Sequence, residues 1–531
     1  MLSYDMGKRG DASRYDYLYR RIRHDIAHGN ILPGEKLPSK RALARNLGVS
    51  VITVEAAYAQ LIAEGYARAE ERRGYFACEL SPVARGGLQD GAPLRGKGKH
   101  GGASEGAARR HGFVSEGATL RSAACSDPGA AQSPAAFSAR GIASSRFPAH
   151  APGDFPSSDS ASDPTIFVPS SGAAATTLFP YQTWARVMRR TLTEESSATL
   201  AEAALAAGSP RLRQAIASYL REYRGMEVPA ERIVIAAGSQ TLYQLIVQLL
   251  GRERTFATEC PGYPLLGRIY GAQNVHCASI PLSAGGIDIA ALRESGASVA
   301  HVMPAHQFPT GVVMSAACRR DLLNWSREGE AAPVGTKSGE PCGRFIVEDD
   351  YDAEFRMTGR PIAPLASVDT AGRVIYLNSF TKSLGAAFRI AYMALPENLA
   401  EPFDRSLGFY SNTVSPLEQL ALARFIEQGH YERHVNRLRT HAKRQQDELI
   451  RRVRASSLAQ NVAFEGLGRG FHFAMRVRGD VREKLVASLR AAGVQLTPLG
   501  TGPLAWSEAK AGEAVLTVNC EGFSSEALVL P

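Results

Sequence analysis

Apolar positions recur at helical spacing through the first eighty residues, almost vanish, then return after residue 164 as short runs alternating with helical stripes. Leu18, Ile22 and Ile26 stand four apart, which predicts a helix over residues 14 to 28. Pro33 and Gly34 punctuate the turn that follows. Ser39 offers a capping oxygen to a short second helix carrying Leu43 and Leu47, which Gly48 breaks. Ser50 opens a third helix through Val54, Ala57, Tyr58, Leu61 and Ile62. Two helices joined by a short glycine-containing turn have the spacing of a helix-turn-helix. Beyond Gly65, residues 66 to 69 and 75 to 78 flank a charged turn and read as a β-hairpin, or wing.

Residues 79 to 163 carry Leu, Ile, Val or Phe at eleven of eighty-five positions, too few to offset chain entropy, so a flexible linker is expected there. From residue 164 onward strands are expected at 232–236, 253–258, 274–279, 299–303, 344–349 and 373–378, with helices at 240–250, 263–271 and 315–327. That alternation predicts a mostly parallel α/β sheet. Long helices over 396–455, followed by strands and a helix, predict a smaller α+β lobe. The expected domains are 12–78, a linker at 79–163, and 164–531, the last with a large lobe over about 180–400 and a small one over about 401–531.

Length agrees with this division, because 531 residues exceed what one hydrophobic core usually organises. No apolar run reaches the length of a membrane span, so no membrane partner is expected. Seven scattered cysteines without a CxxC pattern argue against a disulfide framework or a zinc site and favour a reducing cytoplasm. The formal net charge of +9 permits a polyanionic partner. Its location says more: residues 1 to 78 hold thirteen Lys and Arg against nine Asp and Glu, a surplus of four in the helix-turn-helix segment.

The ordered set Gly29-Asn30-Ile31-Leu32-Pro33-Gly34-Glu35-Lys36-Leu37-Pro38-Ser39-Lys40-Arg41, Leu43-Ala44, Leu47-Gly48-Val49-Ser50, Thr53-Val54, Ala57-Tyr58 and Glu64-Gly65-Tyr66 resembles the GntR-type winged helix-turn-helix. The resemblance implies a third helix in the major groove of double-stranded operator DNA. Candidate DNA contacts are Ser39, Arg41, Ser50, Thr53 and Tyr58, with Arg72 and Arg73 on the wing. That family often has arginine directly after the position of Ser50, whereas this chain has Val51 and Ile52, which can meet a thymine methyl but cannot grip guanine. His24/His28 and His430/His434 stand four apart, yet the glutamate of a zinc-hydrolase motif is missing, so solvated or hydrogen-bonded histidines are expected.

In the long C-terminal region, Lys382 follows the apolar run Val374-Ile375-Tyr376-Leu377, so its amine can emerge at a strand end. Asp349 ends Phe345-Ile346-Val347 and could hold a proton on a pyridine nitrogen, with Tyr351 bonding a ring hydroxyl. Gly238, Ser239 and Gln240 lie between a strand and a helix, where free amides suit an anion. Arg389 and Ser379 could join them on the same anion, the phosphate of a phosphorylated pyridine aldehyde, and Tyr263 could stack on its ring.

Together with Gly208-Ser209-Pro210-Arg211, His306-Gln307-Phe308-Pro309-Thr310-Gly311 and Glu348-Asp349-Asp350-Tyr351-Asp352, these residues resemble fold-type I aminotransferases, and more closely the MocR regulators, in which a GntR-type head is fused to that fold. The resemblance implies pyridoxal 5'-phosphate bound covalently to Lys382, a small amino-compound effector, and a homodimer in which each head lies over the partner's large domain. A nucleoid-associated regulator follows, with a working aminotransferase as the alternative. Two departures stand out. Phe308 takes the place of the usual asparagine, leaving Gln307 or His306 as substitutes, and the C-terminal carboxylate-binding arginine has no clear counterpart, leaving Arg469 and Arg476 as candidates.

Overall fold

The computed structural model describes residues 4–9, 13–70, 73–79, 177–201, 205–328, 343–357, 362–479, 481–499 and 513–530. The expected linker, from residue 80 onward, and Arg72 lie outside the described residues. Among the described residues no helix is long and apolar enough to cross a membrane.

The head is built from α1 (Arg14–Ala27), α2 (Lys40–Leu47) and α3 (Val51–Ala63), with strands β1 (Lys36–Leu37), β2 (Ala67–Glu70) and β3 (Gly74–Ala77). Each helix starts where a serine oxygen takes a backbone amide: Ser13 from Asp16, Ser39 from Ala42 and Ser50 from Thr53. Gly48 ends α2 in the left-handed region at φ 62°, where a side chain would be strained. The apolar stripes meet in one core of Leu18, Ile22, Leu43, Val54, Ala57 and Leu61, all at most 0% exposed. The wing is a three-stranded sheet in the order β1-β3-β2, one strand more than the hairpin expected.

The body centres on an eight-stranded sheet: β4 (Ile233–Ala236), β5 (Phe256–Cys260), β6 (Cys277–Ser283), β7 (Gly286–Ile287), β8 (Val299–Val302), β9 (Phe345–Asp349), β10 (Val374–Ser379) and β11 (Ala391–Ala394). Their spatial order is β4-β11-β10-β9-β8-β5-β6-β7. The run β10-β9-β8-β5-β6 is parallel, while β11 lies antiparallel between β4 and β10. Both faces are covered, so alternate residues enter different cores: Val234, Val347, Ile375 and Leu377 face one, Ile233, Ile235 and Tyr376 another. Burial on both faces explains why these strands read as continuous apolar runs. At roughly 1.5–3 kcal/mol for each fully buried large apolar side chain, these layers dominate the body's stability.

A small lobe follows the helices Glu397–Leu407, Pro416–Glu427 and His430–Ala455. Its antiparallel sheet has the order β12 (Val462–Glu465), β13 (His472–Arg478), β15 (Glu513–Asn519), β14 (Gln495–Pro498). The expected α/β body with an α+β lobe is therefore present, with β7 and β11 added to the strands read from the sequence.

Candidate functional site

Strand register assembles the site. Parallel pairing sets Leu377 of β10 opposite Asp349 of β9, so Asp349 and the turn carrying Lys382 share one end of the sheet. Antiparallel pairing sets Ala391 opposite Ala236, and two residues beyond each stand Arg389 and Gly238. A Cβ added at Gly238 would come 2.7 Å from Nη2 of Arg389. Gly238 has φ +86°, and helix Ser239–Leu250 starts directly after it. A guanidinium laid against a side-chain-free helix start is a cradle for an oxyanion. Arg389 itself holds φ 41°, uncommon outside glycine. Ser379 Oγ donates to Thr381 Oγ1 at 2.8 Å and accepts from Thr381 N at 3.1 Å, which fixes the turn leading to Lys382.

Asp349 is buried, and Tyr243 donates to its Oδ2 at 2.6 Å. His301 Nε2 lies 3.6 Å from the same oxygen, and its Nδ1 is 2.6 Å from the Tyr270 hydroxyl. Burial, then the nearby Asp349 charge, pushes the Tyr243 phenol well above its ordinary range, so it acts as a donor. Neighbouring acids have separate tasks. Glu348 accepts from Leu365 N and Ala366 N at 2.7 and 2.9 Å, Asp350 pairs with buried Arg224, and Asp352 Oδ2 lies 3.0 Å from His306 Nδ1.

The Lys382 side chain is 12% exposed, and its Nζ is 3.9 Å from Oε1 of Glu521. Buried His434 ties this turn to the long helix through Ser383 O at 2.6 Å. Tyr351 OH lies 2.9 Å from His472 Nε2. Burial, with His306 and Lys382 adding positive neighbours, pushes His472 well below the ordinary imidazole range, which makes it a neutral acceptor for Tyr351. His306 and His472 stack with centroids 4.2 Å apart. Stacked imidazoles run their in-plane lone pairs side by side, so this buried His306, Asp352 and His472 group suits ring packing better than a shared ion. Tyr263 is half-buried and meets Phe308 edge-on at 6.2 Å.

Two expectations need correction. Gln307 is spent inside its own loop: its amide donates to Pro261 O and Phe308 O at 2.9 and 2.6 Å, and its oxygen accepts from Thr310 N at 3.1 Å. Arg476 is paired with Glu465 at 2.6 Å and Glu513 at 3.5 Å, so it is no free carboxylate clamp. Arg469 makes no ion pair or hydrogen bond among the described residues. Tyr243, His301, Tyr270, His472 and Glu521 belong to the site although the sequence did not single them out.

On the head, Arg41 is exposed, as are Val51 and Ile52 at the start of α3, while Thr53 is half-buried with its hydroxyl 2.8 Å from Ser50 Oγ. Ser39 and Ser50 spend their oxygens on capping the starts of α2 and α3. Arg73 is exposed and pairs with Glu70 on the wing. Tyr58 is a correction: it is 1% exposed and donates to Pro38 O at 2.8 Å, because it shares the buried stripe of Val54 and Leu61. His24 and His28 stack at 3.9 Å on α1. Just past α3, Glu64 O accepts from Ala316 N at 2.9 Å, so head and body of this chain touch there.

The bacterial regulatory protein gntR family matches residues 14–76, and aminotransferase class I and II matches residues 174–505. The uncharacterized HTH-type transcriptional regulator YdeL of Bacillus subtilis is 30% identical over 491 residues, covering 92% of this chain and 89% of its own. The probable rhizopine catabolism regulatory protein MocR of Rhizobium meliloti is 29% identical over 499 residues, covering 92% and 87%. Among solved structures, the kynurenine aminotransferase of Pyrococcus horikoshii, in complex with PMP, aligns with a TM-score of 0.54 at 21% identity, over 68% of this chain and 88% of its own. A gntR-type reader joined to an aminotransferase-class fold is the class these matches define. The chain belongs to the HTH-type transcriptional regulators of MocR type. Pyridoxal phosphate is the cofactor of its body's class at family level.

Proposed function

We propose that this regulator holds pyridoxal phosphate with Lys382 as the covalent anchor and senses a small amino compound there. The observation that carries the reading is the sequestered Lys382 amine, 3.9 Å from Glu521, at the sheet end that also carries Asp349 and the Gly238–Arg389 cradle. Arg389, Ser379 and the amides of Ser239 and Gln240 would hold the phosphate. Asp349, fixed by Tyr243, would hold a proton on the ring nitrogen, Tyr351 would face the ring hydroxyl, and Tyr263 would cover a ring face. The cofactor supplies an aldehyde that condenses reversibly with amines.

Arg41, the exposed start of α3 and the wing arginines would engage operator DNA. The reading carries with it a homodimer working in the cytoplasm at the nucleoid. A ligand alters DNA binding only if it favours one head arrangement over another. Sensing is favoured over turnover because the relatives matched over most of the chain, YdeL and MocR, are named as regulatory proteins. The test is operator affinity of the cofactor-loaded protein across a panel of primary amines. At least one amine is expected to shift the wild type and leave Lys382→Ala unmoved; an equal response in both proteins, or none in the wild type, contradicts the reading.

A further inference from the structure

A cavity of about 350 Å³ opens where the head meets the body. Ile62, Ala63 and Gly65 line it from the end of α3, and Thr310, Gly311 and Arg469 line it from the body. That volume suits a small molecule. Arg469 is its cation. The guanidinium is half-buried, and burial is the cause that lowers its hold on its proton, with no carboxylate acting in the opposite sense. The carboxylate in the lining, Glu465, is already bonded to Arg476 at 2.6 Å. A half-buried arginine without a counterion is costly unless an anion visits it.

The cavity is also continuous in chain with the cofactor site. Gly470, next to Arg469, abuts His306 and Asp352, and Phe471 N donates to Asp352 Oδ2 at 3.3 Å. His472 then meets Tyr351 at 2.9 Å. Three residues reach at most about 10 Å even when fully extended, so the backbone at Arg469 lies within about 10 Å of that at His472. The opposite wall belongs to the DNA-reading helix. A Cβ at Gly65 would lie 3.0 Å from Ser315 Cβ, so head and body already touch along this seam.

We propose that Arg469 and this seam form a binding site for the oxyanion of a small molecule, best met by the carboxylate of the effector. The inference rests on the sensing reading above for its link to Lys382, and on the cavity alone for the anion. An occupant would touch the end of α3 and the body together, so its binding would bear directly on head placement.

The test uses full-length, cofactor-treated protein titrated calorimetrically in chloride buffer with pentanoate, 5-aminopentanoate, pentylamine and inorganic phosphate. Losing a charge-assisted fork costs about tenfold or more in affinity. Both carboxylates are therefore expected to bind the wild type at least about tenfold more tightly than Arg469→Gln, with Arg469→Lys between them, while pentylamine does not distinguish the variants. Phosphate matching pentanoate would make the site a general oxyanion site; weaker phosphate binding would make it carboxylate-selective, and either supports the proposal. Carboxylates binding Arg469→Gln as well as the wild type, or not binding the wild type, would overturn it. Visible absorbance recorded alongside separates the two readings: pentanoate binding without any cofactor band leaves the anion site standing and removes the sensing reading.

Discussion

The Arg389 guanidinium lies against Gly238, and a Cβ at position 238 would stand 2.7 Å from its Nη2. Two residues 151 apart in sequence meet because the antiparallel strand β11 is inserted beside β4. The glycine is required twice, once for its φ of +86° and once for the space its missing side chain leaves.

Gly238→Ala is therefore expected to strain the helix start by about 1–3 kcal/mol and to push Arg389 off the anion position. Pyridoxal phosphate affinity, followed by fluorescence titration, should fall at least about tenfold. Unchanged affinity would mean that the phosphate is held elsewhere.

On the head, Tyr58 and Arg41 should separate cleanly. Tyr58→Phe loses the bond to Pro38 O and about 1 kcal/mol of stability in urea melts, with operator affinity unchanged once the protein is folded. Arg41→Ala should leave stability alone and reduce the slope of log affinity against log salt by about 0.9, one phosphate contact. The opposite pattern would turn Tyr58 back into a DNA contact.

Burial pushes the Glu259 carboxyl up from 4.5 to about 8, against hydrogen bonds from Met303 N and Gln307 that act the other way. Between those values the fold holds the neutral acid while the unfolded chain carries the carboxylate. The contribution of Glu259 to stability is thus fully present below about 4.5 and lost as pH rises through about 8. Glu259→Gln does not titrate and can keep both hydrogen bonds. Its stability relative to the wild type should rise between pH 5 and pH 8 by up to about 1.4 kcal/mol per unit; a flat difference in paired urea melts would show that Glu259 is ionised in the fold.

Much of this was legible in the chain. Strands β4, β8, β9 and β10 announce themselves because both faces are buried, and Lys382, Asp349 and Gly238 follow directly from their ends. β11 is harder to see, since Ala-Tyr-Met-Ala carries no run of branched residues, yet this strand delivers Arg389. Tyr243, His301 and Glu521 were hidden for another reason. Each is an ordinary residue in an ordinary element, and its meaning lies in a partner far along the chain, 106 residues away for Tyr243 and Asp349. Tyr58 had a usable signal: four residues from Val54 and three from Leu61, it belongs to the stripe that faces inward.

The central claim is that a B6 aldehyde is anchored on Lys382, and the visible spectrum of purified protein incubated with pyridoxal phosphate tests it most directly. Wild type should keep a visible cofactor band through gel filtration and lose it on borohydride treatment, with the reduced adduct mapped by mass spectrometry to the peptide holding Lys382, while Lys382→Ala shows no retained band. A wild type that emerges colourless, or an adduct on any other lysine, would contradict the account.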